Sequence, residues 1–350
     1  KNLEQLRKLA REHGLEILGA SDFKDTSRFH FFVEWVQSGK QGEMHYLEKH
    51  LNCRKDPGSL MKGTKSCVVF ALNYYLGDKL STYNKSGPQV AQYARQKDYH
   101  RVFEKRLSSV LISLQKEHPD VEGRVLVDKY PVLEKALAEN SASGFIGKNT
   151  CWIHPRKGSW FFLGELLLNF ELPLPPSTKA NPQVRDPSLG GCGSCKRCQV
   201  YCPTGALDND YTIDATKCLS YLTIEHRGLI PIKFWKHFDK YWYGCDLCQL
   251  VCPYNKPITK ITSALPQRST CLPSLDEVAT MNQNFYEKHF GGTPMVRAKI
   301  TGLRRNALIA MIVTKHPKLS SVISKLENDP SDLIRSTIDQ YVTHYTKHDS

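Results

Sequence analysis

Cys192-Gly-Ser-Cys195-Lys-Arg-Cys198-Gln-Val-Tyr-Cys202-Pro203 sets three cysteines two residues apart and a fourth three residues further on, directly before proline. Three thiolates at this spacing grip three corners of one iron–sulfur cube, and the fourth reaches a second cube. The run Cys245-Asp-Leu-Cys248-Gln-Leu-Val-Cys252-Pro253 repeats the pattern, with Trp242 standing where its first cysteine would fall. The doubled run predicts a ferredoxin-like module with two [4Fe–4S] clusters. Ligand counting assigns Cys192, Cys195, Cys198 and Cys252 to one cluster. Cys202, Cys245 and Cys248 fall to the other, which then lacks a fourth thiol. Cys218, between the runs, is the candidate, ahead of Cys271 in a loop-like segment after the module.

Close-set cysteines of this kind make poor disulfides. Zinc ribbons use two Cys-x2-Cys pairs split by a longer loop, and the first run here is denser than that. Cys53, Cys67 and Cys151 are distant in sequence and read as small buried residues.

Outward from the cysteines, the first 175 residues read as mixed α/β. Helical periodicity marks 3–13, ended by Gly14, and 99–115, where Val102, Phe103, Leu107, Val110, Leu111 and Leu114 form one stripe. Cys67–Leu72, Arg124–Asp128 and Gly158–Leu163 read as buried strands, so helices should pack on a sheet. Pro173, Pro175, Pro176, Pro182 and Pro187 break any sheet or helix and mark a domain boundary. Beyond Arg297, apolar periodicity recurs over Leu303–Val313, Leu319–Leu326 and Leu333–Val342. These are short helices of a helical-repeat solenoid or of a small helical cap.

The chain of 350 residues is 40% hydrophobic and 24% charged, ordinary values for a globular protein. The longest apolar run, Trp160–Phe170, is interrupted by Gly164, Glu165 and Asn169, so no membrane span is expected. A net charge of +13 suits a polyanionic partner. Gly144-x2-Gly147-Lys148 is not a phosphate loop, because Ala142 and Asn149 stand where Gly and Ser or Thr are needed.

Lys97-Asp-Tyr-His100, Val127-Asp-Lys-Tyr-Pro-Val-Leu-Glu-Lys135, Phe145-Ile-Gly-Lys-Asn149, Gly158-Ser-Trp-Phe-Phe-Leu-Gly-Glu-Leu166 and Arg304-Arg-Asn-Ala-Leu-Ile-Ala310 accompany the cysteine runs. In this order they make the chain resemble the epoxyqueuosine reductases over nearly its whole length. The resemblance implies a mixed α+β chain in three parts. An α/β cobalamin-binding catalytic domain spans 1–175, a ferredoxin-like iron–sulfur domain 176–265, and a linker with a HEAT-like helical segment 266–350. It implies reduction of epoxyqueuosine to queuosine at the wobble position of tRNA, the last step of queuosine biosynthesis, using cobalamin and two [4Fe–4S] clusters. The expected partners are tRNA with epoxyqueuosine in its anticodon loop and a low-potential electron donor, for a cytoplasmic monomer. Alternatives are a corrinoid reductive dehalogenase of small organohalides, or a ferredoxin-type carrier, for which the α/β region is too large.

In such enzymes cobalamin binds with its benzimidazole detached and no histidine in its place. Asp98-Tyr-His100 fits that, since Phe103 replaces the glycine of the histidine-supplying Asp-x-His-x2-Gly signature. The resemblance places the catalytic acid on Asp128 and cofactor contacts on Tyr99, His100, Lys148 and Asn149. Removing the epoxide oxygen as water leaves a poor alkoxide leaving group, which a carboxylic acid held neutral by burial could protonate. Read without the resemblance, Asp128 and Glu134 are carboxylates at the end of a strand and the start of a helix. Lys and Arg outnumber Asp and Glu within 295–350, and Arg304 and Arg305 are expected to grip phosphate. One departure stands out: Ala142, beside Ser143, occupies the usual glycine position.

Overall fold

In a strand, alternate side chains face opposite sides, so an element buried on both sides reads as an unbroken apolar run. Ser66–Asn73 is such an element: Val68, Phe70 and Leu72 join one core, and Cys67, Val69 and Ala71 another. The computed structural model describes residues 1–24, 26, 28–77, 87–175, 190–256, 265 and 272–345. Cys271 and most of the proline-rich connection lie outside the described residues. The N-terminal part runs α1 (Leu3–Glu12), β1 (Glu16–Ser21), α2 (Phe29–Gln37), α3 (Leu51–Lys55), β2 (Ser66–Asn73) and β3 (Gln89–Val90). It continues through α4 (Tyr99–Glu117), β4 (Gly123–Val127), α5 (Glu134–Asn140), β5 (Phe145–Ile146), β6 (Trp152–Ile153) and β7 (Phe161–Leu168).

The strands β1, β2, β7 and β4, in that order, form one antiparallel sheet. On one face lie Leu6 and Leu9 of α1 with Phe103, Leu107, Val110 and Leu114 of α4, the stripe expected from the periodicity. Gly164 of β7 faces this layer, and a Cβ there would sit 3.0 Å from Leu107 Cδ1 and 3.1 Å from Leu126 O, so glycine lets α4 approach. The other face packs on Val132, Leu137 and Ala138 of and around α5. The strand expected at Gly158–Leu163 starts later, at Phe161, because Gly158 has φ +70° and pairs only in an isolated bridge with His154. Ala142 has φ +56°, so the departure from glycine places an L side chain in the left-handed region, a strain of about 1 kcal/mol.

The C-terminal part comprises α6 (Arg197–Val200), α7 (Leu219–Ile224), β8 (Tyr241–Tyr243), α8 (Leu247–Leu250), α9 (Leu275–Ala279) and α10 (Gln283–Phe290). Three longer helices close it, α11 (Lys299–Val313), α12 (Leu319–Leu326) and α13 (Asp332–His344), at the three periodic segments. The short helices α6 and α8 sit within the two cysteine runs. Trp242 is only 3% exposed because β8 pairs in parallel with β3 and carries its side chain into the core, which explains why no cysteine stands there. One core joins Leu219, Leu222 and Trp235 of the cysteine-rich part to Leu303, Leu308 and Ile334 of the last helices.

That shared core overturns the expectation for Arg304 and Arg305. Arg305 is 1% exposed, and its guanidinium donates to the carbonyls of His226 (2.9 Å), Gly228 (2.6 Å) and Leu222 (2.9 Å). Neighbouring Asn306 donates to Thr223 O at 2.7 Å. Arg304 pairs with Asp329, Arg297 with Glu225 and Lys318 with Asp276. Several of the tail's cations are therefore paired within the chain, and Arg305 is a clamp between α11 and the C-terminal half of α7 with its following loop. Arg305→Met should strand three carbonyls and destabilise the fold by ~3 kcal/mol or more. Denaturant midpoints would read this loss, and the salt slope of the tRNA binding that the resemblance implies should stay the same in folded protein; losing a phosphate contact would lower that slope by about 1.

Candidate functional site

Asp128 follows the last residue of β4, where the sheet ends beside the N-terminus of α4. Asp98 caps that helix: its Oδ1 accepts the His100 N–H at 3.0 Å and lies 2.7 Å from His100 Nδ1. The other ring nitrogen of His100, Nε2, is 3.2 Å from Asp128 Oδ2. The Tyr99 hydroxyl donates to the same oxygen, and the Tyr99 ring is held by a stack on Phe162 with centroids 3.6 Å apart. Capping, stacking and strand end thus fix two functional groups, the His100 imidazole and the Tyr99 hydroxyl, on one carboxylate.

The acid is not held neutral by burial. The Asp128 side chain remains 52% exposed. Burial pushes its carboxyl up, but the hydrogen bonds from His100 and Tyr99 outweigh it and hold the group below the usual carboxylate range. Burial likewise pulls His100 down, yet its bonds to Asp128 and Asp98 raise it to about 9. At neutral pH the resting pair is therefore imidazolium and carboxylate, and the proton is stored on His100.

Two further carboxyls act on this site. Glu165, in the middle of β7, is fully buried, and neither of its oxygens has a hydrogen-bond partner among the described residues. Burial and then the charge of Asp128 push it up to about 8. Glu134, at the start of α5, is raised well above its ordinary value by burial first and then by Glu165 and Asp128. Sequence reasoning passed over Glu165. The signal was present in its strand periodicity, which places a glutamate on the same inward face as Leu163 and Leu167.

The structure brings Tyr99 and His100 to Asp128, and it brings Lys148 and Asn149 to the thiols. The Lys148 N–H donates to Cys192 Sγ at 3.3 Å, and its Nζ pairs with Asp210 at 3.0 Å. Asn149 donates to the carbonyl of Cys248 at 3.4 Å. None of the eleven described cysteines is in a disulfide. Cys198 has Cys192, Cys252 and Cys195 as electrostatic neighbours, and burial raises it to about 11. Cys245 has Cys218 and Cys202, and Cys248 has Cys245 and Cys218. Cys218, at the N-cap position of α7, neighbours Cys245 and Cys248, and Cys151, outside the expected sets, neighbours both Cys248 and Cys252. Gly244, at φ +66°, turns the chain into Cys245, and a Cβ there would lie 2.5 Å from that of Ala91. Among the described residues no three or more His, Cys, Asp or Glu side chains gather closely enough for a single metal ion. Thiolates around a cube are spread over the corners of a larger body.

Both donor sets fit the groups expected. Each thiol set offers four sulfurs, and an N–H already points at Cys192. At the acid, both nitrogens of His100 are engaged, so this imidazole is not free to ligate cobalt, as suits a corrinoid bound without a protein histidine. No helix among the described residues is long and apolar enough to cross a membrane.

Residues 191–255 match the family described as 4Fe-4S double cluster binding domain, and residues 54–129 match Epoxyqueuosine reductase QueG, DUF1730. The chain is 32% identical over 344 residues to an epoxyqueuosine reductase of Pseudomonas aeruginosa, covering 96% of this chain and 92% of that protein. It is similar to the solved epoxyqueuosine reductase of Bacillus subtilis, in which an aspartate's catalytic loop is swung out of the active site. The TM-score is 0.77 and the identity 26%, over 95% of this chain and 87% of that one. A solved epoxyqueuosine reductase bound to an epoxyqueuosine-modified tRNA stem loop is 25% identical with a TM-score of 0.75, again over 95% and 87% of the two chains.

Proposed function

The chain belongs to the epoxyqueuosine reductase family, and on that premise we propose that it reduces epoxyqueuosine to queuosine in tRNA with Asp128 as the proton donor. The observation that carries this reading is the Asp98–His100–Asp128–Tyr99 network at the sheet end, in the same chain as a double-cluster domain. Cys192, Cys195, Cys198 and Cys252 would hold one cluster, and Cys202, Cys218, Cys245 and Cys248 the other. The α/β part, 1–175, would hold cobalamin, with the iron–sulfur domain over 176–265 and a HEAT-like segment over 266–350. We read the protein as a cytoplasmic monomer served by a low-potential electron donor.

The overall change takes an epoxide, two electrons and two protons to an alkene and water. Bound cobalamin supplies a reduced, nucleophilic metal able to open the epoxide, and the clusters supply electrons singly. The protein's own task is to receive a nucleotide splayed from the anticodon loop and to put a proton on the departing oxygen. Asp128 is the solvent-exposed end of the pair, and the proton it delivers comes to it from His100. Glu165, raised to about 8, adds little negative charge beside Asp128 near pH 7, and Glu134 is shifted in the same direction by burial.

The pH dependence follows from the direction of each shift. The pair keeps its proton up to about 9, where His100 titrates, so kcat/KM should fall above that pH. In His100→Gln the carboxyl alone holds the proton, and the fall should begin at lower pH. Superimposable pH profiles would remove His100 from the proton path. Cobalamin itself is tested by absorbance: after anaerobic reconstitution with iron and sulfide, added cobalamin should bind and be reduced when the clusters are. An unchanged cobalamin spectrum would exclude it.

A further inference from the structure

The first cysteine run turns outward. Of the other residues between Cys192 and Cys202 all but Gln199 are exposed, whereas between Cys245 and Cys252 only Leu250 is. Buried hydrogen bonds hold the second run in: Asp246 accepts the Gln92 N–H at 2.8 Å, and Gln249 donates to Ser159 O at 3.1 Å. On the outward run, α6 and the residue after it show two large apolar side chains to solvent, Val200 at 79% and Tyr201 at 60% exposed. Val200 and Leu207 line an open cleft of about 580 Å³ together with Lys196. The acids of that cleft are engaged, Asp210 with Lys148 at 3.0 Å and Asp208 with Lys217 at 3.7 Å. Lys196 and Arg197 are exposed and form no ion pair among the described residues, and Lys196 acts on Asp210 only at longer range.

We propose that this face of α6 is where a low-potential one-electron carrier protein with an acidic surface docks to reduce the first cluster. The inference rests on the reading that Cys192, Cys195, Cys198 and Cys252 hold that cluster. An apolar centre with a charged rim is the anatomy of an interface, and a patch this small suits the brief encounters of redox partners. The unpaired cations select an acidic carrier and steer its approach, while Val200 and Tyr201 supply the dry contact beside the cluster. One electron passes from the reduced carrier to the oxidised cluster, and no bond forms or breaks. The cations alone would also suit nucleic acid; the exposed apolar pair on the cluster-binding run favours the carrier.

The test mixes the full chain, reconstituted anaerobically, with fully reduced flavodoxin, an acidic one-electron carrier, and follows the bleaching of cluster absorbance by stopped flow. Reduced methyl viologen, a small cation, is the reference reductant. Lys196→Glu combined with Arg197→Glu should slow reduction by flavodoxin about tenfold at low salt, less as salt rises, and should not slow reduction by methyl viologen. Val200→Ser combined with Tyr201→Ser, which leaves the charge unchanged, should slow flavodoxin at every salt concentration. Lys62→Glu with Lys65→Glu, a matching charge change before β2, should behave as wild type. Equal flavodoxin rates in wild type and both α6 variants would overturn the proposal. So would slowing by both reductants alike, which places the defect in the cluster, or a wild type that methyl viologen reduces and flavodoxin does not. Lost tRNA affinity with an unchanged flavodoxin rate would give the face to nucleic acid and overturn it too. A wild-type chain that takes up only one cluster fails the underlying reading instead, and an iron count shows this before any rate is compared.

Discussion

Asp128→Asn is expected to lower kcat by a factor of about 10² to 10⁴ while both clusters and cobalamin remain bound, because proton donation to a departing oxygen typically contributes that much. Asparagine matches the carboxylate in shape and still accepts from the Tyr99 hydroxyl, so the local packing should hold. It carries no acidic proton. The substitution also removes the charge that raises His100 to about 9, and the stored proton is lost with it. Both effects act on the chemical step, so kcat and kcat/KM should fall together. Near-normal turnover with intact cofactors would take Asp128 out of the acid role and bring Glu134 forward.

Cys218→Ala should remove one cluster and leave the other, halving the iron of a chain that otherwise holds about eight. Cys218 stands at the N-cap position of α7, and Cys202, Cys245 and Cys248 of the second set are its electrostatic neighbours. The surviving EPR signal should therefore be that of the cluster held by Cys192, Cys195, Cys198 and Cys252. Turnover should fall below detection, since electrons have lost one of two stations. Full iron in this variant would show that another thiol completes the second set, with Cys271 the next to be replaced.

Several of these features were legible in the chain because they are local. Ligand spacing within one cysteine run is a covalent fact, and the stripe of α4 and the three terminal helices follow from a period of 3.6. Other features depend on residues far apart in sequence. Tyr99 and His100 meet Asp128 across nearly thirty positions, through a helix cap on one side and a strand end on the other, and no window of sequence contains both. Arg305 reads as surface charge by composition, yet the carbonyls that hold it come from α7 and the loop after it. Burial of Asp128 was expected to keep it neutral; its hydrogen-bond partners decide its charge, and their direction is invisible before folding.

The most direct measurement is the mass of the wobble nucleoside. tRNA carrying epoxyqueuosine is incubated anaerobically with the reconstituted protein, cobalamin and a strong reductant, then digested and analysed by mass spectrometry. The account predicts a nucleoside lighter by one oxygen, formed by the wild type, depleted with Asp128→Asn and absent when cobalamin is omitted. Unchanged epoxyqueuosine in the presence of a protein with both clusters and cobalamin reduced would contradict it.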